Sequence, residues 1–367
     1  MSPGKRYRVL HTTSYRYGAP VALSRQLLHL TPRELPTQRL LEHRLKVEPE
    51  PGEGNIGHDY FGNAIAHFVL SSAHQSLSLS ASSTVEVWPR NSAALIAASR
   101  PWEHVASGLR GSALGLGALP IPEVHLEPAR YMFDSPHVES SAELLRYAAP
   151  SFTEHRPLLD AVLDLNHRIH EDFEFDPIAT VISTPLAEVL MERRGVCQDF
   201  AHLMIGCLRT LGLSARYVSG YLLTTPPPGH ARLVGADASH AWVSVYCPDA
   251  GWVDFDPTND RLVDDEHITL GWGRDFSDVT PTRGVILGGG EQELTVHVTV
   301  SGIDEPDYAV AATTVPGPAA VAGQVMGQGL GQGMHQSLAP AMGQGLTQGL
   351  SQGLSQGMTR GNPVQPD

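Results

Sequence analysis

The sequence predicts an α+β protein: a β-rich amino-terminal unit, a core of helices and antiparallel strands, and a low-complexity tail. Three observations predict it. Residues 5 to 90 alternate apolar and polar positions in short runs broken by Gly, Pro and Asn. From Ser140 apolar residues recur three and four positions apart, then give way to strand-like runs. After Gly302 the composition collapses into Ala, Gly, Pro and Gln.

Taken in order, YRVLHTTSYRY, GNAIAHFVLSS and SLSLSASSTVEVW read as antiparallel strands, because side chains on alternate positions face opposite sides of a sheet. This gives a first domain at 1–95. Residues 96–138 form a connection, with a helix near PWEHVASGLRG and a Pro-rich stretch, ALPIPEVHLEP. SAELLRYAA, RPLLDAVLDLNHRIHEDF and TPLAEVLMERR read as helices, and ARYVSGYLL, AWVSVYC and GWVDFDP as strands, giving a second domain at 139–302 with its closing strands. The tail, 303–367, repeats blocks such as GQGL, TQGL and SQGM. Its glycines make regular helix costly, at roughly 1 kcal/mol each relative to alanine, and it is expected to be disordered. The competing reading is weak self-association through Leu or Met at every fourth position.

Bulk composition narrows the function. A chain of 367 residues with 41% hydrophobic and 17% charged residues has enough apolar material for sizeable cores. A net charge of -14 without a Lys/Arg stripe argues against nucleic acid as a partner. No run approaches the roughly 20 apolar residues needed to cross a bilayer, and the start lacks a secretory pattern, so the expectation is a cytoplasmic protein with no membrane partner. Cys197, Cys207 and Cys247 are an odd number without paired spacing, which favours thiols over disulfides. No CxxC or HExxH pattern accompanies the 18 histidines, so neither a metal nor a cofactor is expected.

The sharpest local signal is RRGVCQDFAHLMIGCLRTLGLSARYVSGY. Phe200, Leu203, Met204, Cys207, Leu208 and Leu211 form one apolar helical face, so a helix starts close to Cys197 and stops near Gly212. A thiol in the first turn meets unpaired backbone N–H groups and the positive end of the helix dipole, which favour an anion and supply donors to a developing oxyanion. Cys207, on the apolar face, reads instead as a small buried hydrophobe. SHAWVSVY begins a strand with His240, and GWVDFDPTN ends one with Asp256. A thiolate nucleophile needs an imidazole that returns the proton to the leaving group, and that imidazole needs a carboxylate to fix its tautomer. Adjacent antiparallel strands bring the two together. Papain-like proteases share the order Cys then His.

The blocks GVCQDFAHLM, SHAWVSVY and GWVDFDPTN closely resemble the three signature blocks of the transglutaminase-like superfamily, in order. HTTSYRYGAPVALSRQLLHLTPRE is similar to the β-rich amino-terminal region of the bacterial subfamily, and GRDFSDVTPTRGVILGGGEQELTVHVTV resembles its closing strands, so the likeness spans roughly residues 5 to 302. It implies a transglutaminase/papain-like core, with Cys197 as nucleophile, His240 as general base and acid, and Asp256 as the orienting carboxylate. No calcium loop of the kind animal members use is recognisable.

Four more residues are candidates to support this trio or wall the cleft: Gln198, His202, Trp242 and Asp254. Asp254 stands where the bacterial pattern carries a small residue (GWVGFDPTN). Two positions from Asp256 on a strand, it points the same way and competes to face His240, with consequences for the imidazole and for acidic substrates. His202 is rotated away from Cys197 by helical geometry, which favours a structural or wall role. Trp242 and Trp252 pack the sheet or wall the cleft. The expected activity is attack by Cys197 on a peptide or isopeptide bond in a peptide or protein substrate, completed by hydrolysis. The rivals are amine acyl transfer, as in a crosslinking transglutaminase, and a non-enzymatic binding module. The sequence leaves the oligomeric state open.

Overall fold

A computed structural model describes residues 4–90, 93–96, 98–113, 127–177, 180, 184–223 and 239–303. The alternation at the amino terminus folds as one long strand, β1 (Lys5–Leu28), whose inward residues Tyr7, Val9, His11 and Thr13 are buried every second position. It is followed by β2 (Gln38–Glu48), β3 (Glu53–His58), β4 (Ala64–Leu70) and β5 (His74–Val87), in the spatial order β2-β5-β1-β4-β3. The tail expectation falls on residues outside those described.

Helix α1 (Trp102–Ala113) lies in the connection, at the PWEHVASGLRG stretch, and the helices placed by the three-and-four spacing follow: α2 (Ala142–Ala148), α3 (Leu158–Asp172), α4 (Leu186–Glu192) and α5 (Cys197–Thr210). Ser141 starts α2 by accepting the Leu144 N–H at 3.2 Å. Two short strands, β6 (Glu174–Phe175) and β7 (Arg194–Gly195), pair in parallel just ahead of α5. An antiparallel sheet follows, built from β8 (Ala215–Leu222), β9 (Ser239–Cys247), β10 (Gly251–Asp256), β11 (Arg261–Leu262) and β12 (His267–Gly273), in the order β11-β10-β9-β8-β12.

Helix α5 is the centre of the second core. Phe200, Leu203, Met204, Ile205, Cys207 and Leu208 are all buried among α2, α3 and the inner face of the β8–β10 sheet. Burying each large apolar side chain contributes roughly 1.5–3 kcal/mol, which fixes the helix and therefore the residue at its first turn.

The closing strands β13 (Thr282–Gly288) and β14 (Gln292–Gly302), which the sequence placed in one domain with the catalytic core, pair with the amino-terminal sheet instead. They lie in line along β1, pairing Leu28 with Thr282 at one end and Tyr7 with Gly302 at the other. Period-two alternation identifies a strand but not its neighbour, and only the long reach of β1 decides the pairing.

The two units meet at β12. Its outer edge is closed by side-chain amides of the amino-terminal unit: Gln38 exchanges hydrogen bonds with Thr269 N and O at 2.8 Å, and Asn63 bonds Trp272 N and O at 2.9 and 2.8 Å. The approach requires glycine, since a Cβ on Gly271 would stand 2.6 Å from Asn63 Oδ1. No helix among the described residues is long and apolar enough to cross a membrane.

Candidate active site

Val196 is extended and Cys197 is the first helical residue of α5. The turn is held by Asp199, which is buried and accepts the Val196 N–H at 2.8 Å and the Thr180 hydroxyl at 2.6 Å. Cys197 itself is half-buried, at the edge of the core. Its backbone N–H and that of Gln198 have no carbonyl four residues back within the helix, as at any helix start, and are free to serve an anion.

His240 opens β9 opposite Gly220 of β8, and Asp256 ends β10 on the other side of β9. The two side chains meet through His240 Nε2 and Asp256 Oδ2 at 2.7 Å, with 10% and 0% of their side-chain surface exposed. The imidazole also lies within hydrogen-bonding reach of the Cys197 side chain. With Nε2 engaged by the carboxylate, Nδ1 is the nitrogen left for the thiol. Burial alone would hold His240 neutral, but the Asp256 charge and hydrogen bond, with Cys197 beside it, outweigh burial and raise its pKa well above the ordinary imidazole value. Burial likewise opposes ionisation of Asp256, and the two imidazoles around it overcome that and hold it below the usual carboxylate range.

The second imidazole belongs to His267, at the start of β12. Its Nε2 lies 3.1 Å from Asp256 Oδ2 and it is fully buried. Asn259 Nδ2 donates to the same oxygen at 2.7 Å, while Oδ1 accepts the backbone N–H groups of Thr258 and Asn259 at 3.0 and 3.2 Å. The Asp264 N–H donates to His267 Nδ1 at 3.4 Å, so Nε2 carries the proton. His240, Asp256 and His267 bring ligand-type atoms within 4.8 Å of one another. A divalent ion there would need both Nε2 atoms unprotonated, and the Asp264 contact opposes this at His267, so the donor set fits a hydrogen-bonded chain better than a metal cage.

The other candidates separate clearly. Asp254 does not face His240: its carboxylate is taken by Arg90, which also reaches Thr269 Oγ1 at 3.2 Å. The shared side of β10 is real, but the salt bridge turns this carboxylate toward the amino-terminal unit. His202 is buried, accepts the Phe276 N–H at 3.2 Å and stacks on His137 with ring centroids 5.4 Å apart, and burial pulls its pKa down to about 3. Its place is structural. Trp242 is fully buried and packs edge-on against His267 at 5.3 Å. Gly220 makes room for it, since a Cβ there would stand 2.3 Å from the indole. Trp252 packs against Tyr131 and Tyr246, with the Arg216 guanidinium 4.0 Å above its ring. Gln198 is half-buried beside Cys197. Cys207 and Cys247 are buried, and burial pushes the Cys207 thiol up to about 12.

Sequence reasoning missed His267 and gave Asn259 no role. A usable signal existed for the first: in DDEHITLGW a single His precedes an alternating strand, the pattern that singled out His240. Asn259 lies within the quoted GWVDFDPTN block, and its role follows from the turn after Asp256.

Two family models match the chain: the bacterial transglutaminase-like N-terminal region over residues 7–86, and the transglutaminase-like superfamily over residues 146–257. An uncharacterized protein of Mycobacterium tuberculosis is 41% identical over 301 residues, which is 80% of this chain and 91% of that one. A protein-glutamine gamma-glutamyltransferase of Pseudomonas aeruginosa is 30% identical over 135 residues, 35% of this chain and 19% of its own. Among solved structures, that of a candidate cysteine protease from Cytophaga hutchinsonii covers 85% of this chain and 95% of its own at 20% identity, with a TM-score of 0.62. At that identity the likeness is one of fold.

Proposed function

Because the chain belongs to the transglutaminase-like superfamily, in its bacterial form, we propose that it acts on amide bonds of a peptide or protein through a thioacyl-enzyme. The observation that carries this reading is the line of contacts from Cys197 through His240 to Asp256, closed by the 2.7 Å hydrogen bond.

In this reading the Cys197 thiolate attacks the carbonyl carbon, and the oxyanion that forms is held by the Cys197 N–H at the start of α5. His240, kept protonated by Asp256, gives its proton to the leaving nitrogen as the carbon–nitrogen bond breaks. Water then attacks the thioester carbon and gives a proton to His240, and the carbon–sulfur bond breaks to release a carboxylic acid and the Cys197 thiolate. The outcome is hydrolysis of a peptide or isopeptide bond.

An amine in place of water gives acyl transfer through the same thioester. The stretch shared with the Pseudomonas gamma-glutamyltransferase favours this second reading. Incubation with glutamine-containing peptides, with and without a labelled primary amine, separates the two by mass spectrometry. Hydrolysis gives an acid product whether or not amine is present, and transfer gives the amine adduct. A Cys197→Ala chain that retains either activity overturns the thioacyl reading.

A further inference from the structure

Asp256 accepts more hydrogen bonds than orienting one imidazole requires. Its Oδ2 alone receives His240, Asn259 and His267, and the last of these comes from a different strand, outside the span matched by the superfamily model. We propose that His267 is a positioning residue of the reaction, a neutral donor that shares Asp256 Oδ2 with His240 and so limits how tightly the carboxylate holds the imidazolium. This rests on the thioacyl reading above and deepens it.

The geometry supports a neutral donor rather than a second cation. The Asp264 N–H on Nδ1 fixes the Nε2–H tautomer, and a proton added to Nδ1 would lose that contact. The groups facing His267 are Asp256, His240, the edge of Trp242 and, through its charge, Arg261; those facing His240 are Asp256, Cys197, Asn259 and Trp242. His240 must both hold a proton and release it to the leaving group. Each donor on Oδ2 draws charge from the oxygen facing His240, which makes the imidazolium a better acid.

The placement of His267 is also built. It begins β12, whose outer edge is gripped two and five residues further on by Gln38 and Asn63. The amino-terminal unit thereby supports the carboxylate end of the site from a distance, through one strand.

The test compares His267→Gln with His267→Asn. The Gln amide nitrogen reaches about as far as imidazole Nε2, and the Asn side chain reaches only the Nδ1 position. The rate of Cys197 alkylation by iodoacetamide is followed against pH in each full-length chain. In His267→Asn the basic limb, where His240 loses its proton, moves to higher pH, and turnover falls about ten- to a hundredfold with KM unchanged. In His267→Gln both stay near wild type. Identical behaviour of the two variants, or a lower melting temperature with an unmoved limb, overturns the proposal. Imidazole nitrogen NMR of the unaltered protein provides a check that needs no variant: an Nδ1–H tautomer or an imidazolium at His267 near neutral pH overturns it too. A wild-type Cys197 without rapid, pH-dependent alkylation overturns the thioacyl reading itself, and this proposal with it.

Discussion

Arg90 holds Asp254 in a buried ion pair, which directs that carboxylate away from His240 although Asp256, two residues on, faces it. The pair joins the amino-terminal unit to β10, with 13% and 9% of the side chains exposed. Removing one partner of a buried pair leaves an uncompensated charge. Asp254→Asn is therefore expected to lower stability by about 3 kcal/mol, read by denaturant unfolding, while the rate of Cys197 alkylation stays unchanged.

Asp256→Asn is expected to do the reverse in activity. An amide NH2 in place of a carboxylate oxygen faces donors instead of accepting from them, and the His240 tautomer is lost. Turnover should fall on the order of 10⁴-fold by analogy with serine triads. Because five donors converge on this fully buried group, a lower melting temperature should accompany the loss. Steady-state kinetics and a thermal melt on the same preparation check both.

Limiting iodoacetamide should modify Cys197 first. It is the half-buried cysteine with an imidazole partner, whereas Cys207 is sealed beneath α2 with its thiol pushed up to about 12, and burial also raises the Cys247 thiol. Peptide mapping that finds Cys207 or Cys247 labelled ahead of Cys197 in the folded protein contradicts the assignment.

Mild acid should destabilise the fold through buried neutral histidines. His11 lies between Tyr221 Oη and Thr13 Oγ1 at 2.9 and 3.1 Å, and burial lowers its pKa to about 4. A depressed histidine contributes stability that is complete above its unfolded pKa near 6.5 and is lost as pH falls toward the folded value. For His11 this amounts to about 3 kcal/mol. His202 acts in the same direction, and His240, whose pKa is raised, in the opposite one. Unfolding free energies measured from pH 7 to pH 4 should decline, with a shallower slope in His11→Gln.

Much of this was legible in the sequence, and the exceptions have physical reasons. The start of α5 at Cys197 followed from an apolar face that begins at Phe200, and the meeting of His240 with Asp256 followed from two adjacent strands. The partner of Asp254 was not legible, because a salt bridge to Arg90 depends on how two units pack and leaves no periodic trace. The role of His267 was hidden for the same reason: its strand lies at the far edge of the sheet, beside β8, and only the three-dimensional order returns it to Asp256. The homes of β13 and β14 were hidden because alternation alone does not choose a neighbour.

Intact-protein mass spectrometry after acid quenching of a reaction with a glutamine-containing peptide reads out whether Cys197 carries the acyl group. The expected result is an acyl adduct that peptide mapping places on Cys197, that disappears as water or amine turns it over, and that never forms in Cys197→Ala. An adduct on another residue, or undiminished turnover by Cys197→Ala, would rule out Cys197 as the nucleophile.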